Sequence, residues 1–381
     1  MAEQGELIFA AMGDVFVDNH YCMAGVSRAL PALRKLGASA VLVGGEKEWR
    51  LVDISPDETF DLGEAVKAAF AEKKPNIEYV ERSGVPFVLC NTRGLAEADW
   101  ILFAAGRREA LTQAKVFFFA QLLHPFGTTA GDFVTRQDSG FSTQVFAGMK
   151  NGVVISSGAM FPLTDERGIR QGDFGFTAVG VSSFRYPQLA AGRDNPPKAP
   201  LNRPTLVVSV EKDRVVFGRQ ALAAGEKFGD DWVMPLDGYG ALSYETRAPG
   251  FVAPLFAPDA KPRIDMVRGK AADGSPGTER VKVTFPRVAS GRAFEYEITV
   301  HSTHESDIDI IVTQRRFYSP GVFLPPSGEP GTVSCLIDKS ELYHDVLLDF
   351  EVRALDSFGH KGAPIVASRK IPGDPPPERR K

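Results

Sequence analysis

Over the first half of the chain, apolar residues come in short runs with little polar interruption. Leu7–Gly13 is one such run, of strand length, and it ends at Gly13-Asp14. From Met23 to Leu36 the spacing changes: Val26, Leu30 and Leu33 recur at helical intervals, and Gly37 stops the pattern. Ala40–Gly44 is a second apolar run. Strand, helix and strand in this order predict a βαβ unit with a parallel pair.

The alternation continues with helices over 62–74, 107–113 and 142–149 and strands over 85–90, 116–120 and 153–156. These strands are apolar at successive positions, as a sheet covered on both faces requires. From Phe174 onward only strand patterns occur. Phe174–Phe184 reads as one strand, and 205–210 with 214–217 reads as a hairpin about Glu211-Lys-Asp213. Between them, 194–200 is an irregular loop rich in proline.

The segment 253–262, which carries Pro254, Pro258 and Pro262, reads as a linker. Beyond it, alternating strands over 280–285, 294–300, 308–312, 332–337 and 347–354 predict a β-sandwich over 263–372. Residues 373–381 read as a disordered tail. The pattern thus divides 381 residues into a mixed α/β domain, 1–252, and an all-β domain.

Composition narrows the partners. With 44 Lys+Arg against 48 Asp+Glu the formal charge is −4, and the basic residues are dispersed, so no nucleic-acid partner is expected. No apolar run approaches the ~20 residues of a membrane span. Cys22, Cys90 and Cys335 are too few and too far apart for a disulfide framework or a Cys-x-x-Cys metal site. The compartment is open: cytoplasm, or a secreted or periplasmic mature chain with its signal removed.

Several stretches share the order of one family's motifs. They are Ala11-Met-Gly-Asp-Val-Phe16, Ala40-Val-Leu-Val-Gly-Gly-Glu46, Val88-Leu-Cys-Asn-Thr-Arg93, Leu122-Leu-His-Pro-Phe-Gly-Thr128 and Gly158-Ala-Met-Phe-Pro-Leu163 with the following Thr-Asp-Glu-Arg. In this order the first 250 or so residues resemble the calcineurin-like metallophosphoesterases. The resemblance implies a four-layer α/β/β/α sandwich, followed here by a small β-sandwich similar to fibronectin type III modules. It also implies a dinuclear metal centre that activates water and clamps a phosphate.

At the positions that carry the metals, the chain keeps Asp14 and Asn91. Phe16 stands at a histidine position, Gly45 or Glu46 at the bridging aspartate, and Thr92 at the histidine that protonates the leaving group. Leu122, Ala159 and Phe161, or Met160 if the shortened loop shifts by one, stand at the remaining imidazoles. Two or three oxygen ligands do not hold a dinuclear transition-metal centre, so neither metal nor cofactor is expected. The expectation is a pseudoenzyme that binds a protein partner, self-assembles or serves as a structural element.

The alternative is a residual phosphomonoester or diester hydrolase, with Asp14, Asn91, Glu46 and His124 around one Mg²⁺ or Mn²⁺. A third reading makes the cleft a pocket for a nonmetal ligand, with Arg93, Arg167 and Arg170 as anion contacts beside Thr92. His20, His301 and His304 lack further ligand-type neighbours in sequence and carry less weight.

Overall fold

The computed structural model describes residues 6–46, 48–91, 97–129, 137–157, 162–184, 202–270, 276–304 and 308–373. The chain divides into two compact units, Met1–Gly250 with Phe323–Gly328, and Phe251–Val322 with Glu329–Lys381.

In the first unit, β1 (Leu7–Met12) leads into α1 (His20–Lys35), β2 (Ala40–Gly44) and β3 (Trp49–Asp53). Asn19 caps α1 by accepting the Cys22 N–H at 2.9 Å, so the helix starts before its first regularly spaced apolar residues. Next come α2 (Leu62–Ala71), β4 (Ile77–Arg82), β5 (Val85–Cys90), α3 (Glu97–Gln113), β6 (Phe117–Gln121), α4 (Phe141–Val145) and β7 (Gly152–Ser156). Strands β8 (Ile169–Gln171), β9 (Thr177–Gly180), β10 (Pro204–Val210), β11 (Arg214–Ala221), β12 (Glu226–Lys227) and β13 (Trp232–Pro235) and helix α5 (Tyr244–Arg247) complete it.

These strands form two sheets. The first has the order β12-β11-β10-β1-β2-β3, with β13 also on β11 and only β1–β2 parallel. The second is β4-β5-β6-β7-β9-β8, parallel from β5 to β9 and closed at each edge by an antiparallel strand.

Side-chain alternation along a strand sets what each face buries. Leu7, Phe9 and Ala11 of β1 share one core with Phe87 and Leu89 of β5, Phe118 of β6 and Ile155 of β7, so the two sheets pack face to face. Phe9 meets the rings of Phe87 and Phe118 edge-on at 5.1 and 4.9 Å. Ala10, Met12, Val41 and Val43 face the other way, onto Met23, Val26 and Leu33 of α1 and Leu62 and Val66 of α2. On the far face of the second sheet, Phe117, Phe119 and Val154 pack with Leu111 of α3 and with Phe146.

Some elements differ from the sequence reading. Only Thr177–Gly180 of the expected strand 174–184 is a strand, because Gly175 adopts φ +79 and donates to the Gly172 carbonyl in a turn. Helix α4 stops at Val145, ahead of a left-handed Gly148 at φ +74. Helix α3 runs upstream of the expected 107–113, to Glu97.

In the second unit, β14 (Arg263–Lys270), β15 (Pro276–Pro286), β16 (Glu295–His304), β17 (Ile308–Tyr318), β18 (Thr332–Asp338), β19 (Leu347–Leu355) and β20 (Ile365–Lys370) form the sheets β14-β15-β18 and β17-β16-β19-β20. Val281 and Phe285 from one sheet and Ile298, Val300, Phe350 and Val352 from the other fill a single core. Phe256, within the stretch read as a linker, is buried in that core, and Leu255 exchanges backbone hydrogen bonds with the 289–290 turn.

Candidate functional site

The C-terminal ends of β1, β2, β5 and β6 carry the sequence-predicted positions Asp14, Gly45, Asn91 and Leu122. Gly13, just past β1, bridges to Ser183, and its carbonyl accepts the Phe184 N–H at 2.8 Å. A Cβ at Gly13 would stand 2.6 Å from Val181 Cγ2 and 3.0 Å from Ser157 Cβ, so only glycine lets the ends of the two sheets meet here. Asp14 follows in the left-handed region at φ 52 and is 4% exposed. This turns the chain so that the Val15 N–H donates to the Gly44 carbonyl at 2.8 Å.

Phe16 is half-buried, and with Val15, Val17, Asp18, Gly45, Glu46, Glu48 and Phe70 it lines a cleft of about 250 Å³. Gly45 and Glu46 sit in the turn between β2 and β3, closed by Gly45 N–H donating to the Glu48 carbonyl at 2.8 Å. Glu46 is exposed there. Gly45 faces the Phe70 ring so closely that a Cβ would lie 2.6 Å from it, so an aspartate at 45 requires Phe70 to move.

Asn91, at the end of β5, is 9% exposed and bonded through both its amide oxygen and its nitrogen. Its Oδ1 accepts from the Trp49 N–H at 3.2 Å and from Arg50 Nη1 at 2.9 Å, and its Nδ2 donates to the Pro75 carbonyl at 3.0 Å. A carbonyl oxygen has two lone pairs, and both are used. Arg50, which no sequence motif marked, is therefore part of the site.

Leu122 is 3% exposed. His124 is fully buried among hydroxyls. Nδ1 lies 2.5 Å from Ser156 Oγ, and Nε2 lies 3.0 Å from Thr128 Oγ1 and 2.6 Å from Thr129 Oγ1. Thr128 donates its own proton to the Pro125 carbonyl at 2.7 Å and can only accept from the ring. This assigns the ring proton to Nε2 and makes Nδ1 the acceptor of the Ser156 hydroxyl. Burial pushes the His124 pKa down to about 3, against the opposing pull of Asp138, so the ring is neutral.

Arg167 is committed to Asp165, with Nε and Nη2 each 2.9 Å from its carboxylate. Asp165 is fully buried, and burial raises its pKa while Arg167 opposes the rise. Arg170 stacks on the Tyr244 ring at 4.7 Å and donates to the Thr128 carbonyl at 3.2 Å. His20 is exposed at the start of α1, and His301 pairs with Asp309 at 2.9 Å in the second unit. Thr92, Arg93, Ala159, Met160 and Phe161 lie outside the described residues.

Among the described residues, no three His, Cys, Asp or Glu side chains gather where they could hold a metal ion. Glu46 is on the rim, Asn91 has no lone pair left, and His124 uses both nitrogens within the core. Donors so placed do not fit the dinuclear cradle that the resemblance implies.

No family model matches the chain, and no curated protein matches it. Solved structures do. A dimetal phosphatase from Danio rerio is 9% identical, with a TM-score of 0.39, over 60% of this chain and 99% of that one. A conserved uncharacterized protein from Streptococcus pneumoniae, described as a predicted phosphoesterase, is 10% identical, with a TM-score of 0.27, over 61% and 99%. A myokine is 14% identical, with a TM-score of 0.18, over 30% and 98%. At these values none of them carries an argument about this chain's chemistry. What its own topology defines is a mixed α/β unit of two packed sheets with an added β unit.

Proposed function

We propose that the chain is a metallophosphoesterase-like protein without hydrolytic activity. Its first unit is a four-layer sandwich, its second a fibronectin type III-like module, and the whole serves as a binding or assembly element. The observation that carries this reading is the state of the candidate donors. Imidazole positions hold Phe16 and Leu122, a carboxylate at Gly45 requires the Phe70 ring to move, and the imidazole of His124 is neutral and held by three hydroxyls. Water activation by two metals needs several such donors free and converging.

The edge strand of the second unit supports the binding half of the proposal. Among the described residues β17 pairs with β16 alone and exposes Ile311 at 60%, and a sheet edge with apolar residues is a template for another strand.

The test is elemental mass spectrometry on the full chain purified without chelator, then repeated after incubation with Mn²⁺ or Zn²⁺. Hydrolysis of a phosphomonoester and a phosphodiester is measured on the same samples. Near-zero metal and no turnover above the uncatalysed rate are expected. One tightly held ion per chain with ion-dependent turnover would replace this reading by the single-metal hydrolase, and Asp14→Ala would then abolish both.

A further inference from the structure

We infer that the Arg50 guanidinium is a resident cation of the former metal cradle: it takes the coordination that Asn91 would otherwise offer a metal, and it clamps the mouth of the two sheets together. The inference rests on the inactive reading above and adds to it the group that stands in the metals' place.

Arg50 lies on β3 and its side chain is 3% exposed. A guanidinium has five N–H donors in a fixed planar fork, and each finds an acceptor here. Nε donates to the Ala69 carbonyl at 2.9 Å. Nη1 donates to the Trp49 carbonyl at 3.0 Å and to Asn91 Oδ1 at 2.9 Å. Nη2 donates to the Glu72 carbonyl at 3.2 Å and to the Glu48 carboxylate. The Phe70 ring lies against the guanidinium, 5.2 Å from Cζ to centroid.

The acceptors have one character. Ala69 and Glu72 are at the C-terminal end of α2, where carbonyls lack intrahelical partners and carry partial negative charge. The last turn of α2 has no basic residue of its own, so Arg50 supplies the missing cation from the neighbouring strand. Glu48 adds a carboxylate that is 38% exposed, and Asn91 adds an amide oxygen from the other sheet. Helix end, carboxylate and amide oxygen together form a nest for positive charge. The planar fork satisfies it, and the Trp49 N–H takes the remaining lone pair of Asn91. While this clamp holds, both lone pairs of Asn91 Oδ1 are closed to a metal.

The experiment uses the full chain and reads melting temperature by calorimetry, with and without millimolar Mn²⁺. Arg50→Met should lower the transition of the first unit by about 10 °C, because it leaves buried acceptors unpaired. Arg50→Lys, a point charge with three donors, should recover less than half of the loss. Asn91→Ala combined with Arg50→Met should cost less than the sum of the two single losses, because the Arg50–Asn91 bond is counted in both, while the Trp49 and Pro75 bonds of Asn91 are lost only with Asn91.

If Arg50→Met does not fold, Asn91→Asp on the parent and on Arg50→Lys decides. The new carboxylate should be tolerated beside the guanidinium and cost at least twice as many degrees beside the lysine. Mn²⁺ should raise the melting temperature of the weakened pair and leave the parent unchanged. Arg50→Met melting within about 2 °C of the parent, or strictly additive losses, would overturn the clamp and leave the inactive reading intact. Ion-dependent hydrolysis by the parent would overturn the inactive reading, and the melting series would still judge the clamp.

Discussion

His124 shows how a residue that reads as a ligand becomes a core group. It follows Leu122-Leu123 and precedes Pro125, a placement that brings an imidazole to a strand end in either role. What decides is the set of hydroxyls from Ser156, Thr128 and Thr129, which come from two separate segments and are invisible as a cluster in the sequence. Since the folded pKa is held near 3 against 6.5, the unfolded chain binds the additional proton between these values. Stability from this group is therefore complete above pH 6.5 and is lost as pH falls toward 3, by about 1.4 kcal/mol per pH unit. Denaturant midpoints measured from pH 7 to pH 4 should fall more steeply for the parent than for His124→Asn, which removes this titration. Equal slopes would mean that the ring is not held neutral. At Leu122, restoring an imidazole by Leu122→His should cost about 1–3 kcal/mol by urea unfolding, because a polar ring replaces a buried side chain. No Mn²⁺ should be retained by that variant.

Elements were legible in the sequence where burial on both faces leaves an uninterrupted apolar run. Strands β1, β2, β5, β6 and β7 are of this kind. Strand β3 was not read, because Trp49-Arg-Leu-Val-Asp53 places a charge in the interior, and the pairing that justifies Arg50 comes from α2 and β5. Strand β4 escaped for the opposite reason: Ile77-Glu-Tyr-Val-Glu-Arg82 is mostly half-buried and reads as polar. The Thr164–Arg167 run was legible as a motif but not as a network. Glu166 bonds Arg219 Nη1 at 2.7 Å, Arg247 Nη2 and the Trp232 indole N–H at 2.7 Å, thereby joining the start of β8 to β11, β13 and α5. Arg219 and Arg247 are 2% and 10% exposed, so removing their shared carboxylate strands two charges. Glu166→Ala should cost about 3–5 kcal/mol and shift the tryptophan emission as Trp232 loses its acceptor; Glu166→Gln, which keeps two hydrogen bonds, should cost less. Unchanged emission and a loss under about 0.5 kcal/mol would reduce the network to surface pairing.

Each of the two units closes its own apolar core, and this sets the cooperativity of the molecule. Phe118, fully buried, sits between the two sheets of the first unit, while Phe350, also fully buried, fills the core of the second. Side chains that close one core are distinct from those that close the other, so each core is expected to be lost by its own transition. Phe118→Ala and Phe350→Ala remove comparable volume, and each should cost about 3–5 kcal/mol. Calorimetry on the full chain should therefore resolve two endotherms. Phe350→Ala should lower one by about 10 °C or more and leave the other in place, and Phe118→Ala should do the reverse. The Arg50 variants should move with Phe118→Ala, because the clamp joins β3, α2 and β5 of the first unit. The buried Phe256 places the chain after Gly250 with the second core, so Phe256→Ala should move the Phe350 transition alone. A single endotherm displaced equally by all of these variants would show that the two cores melt as one cooperative unit.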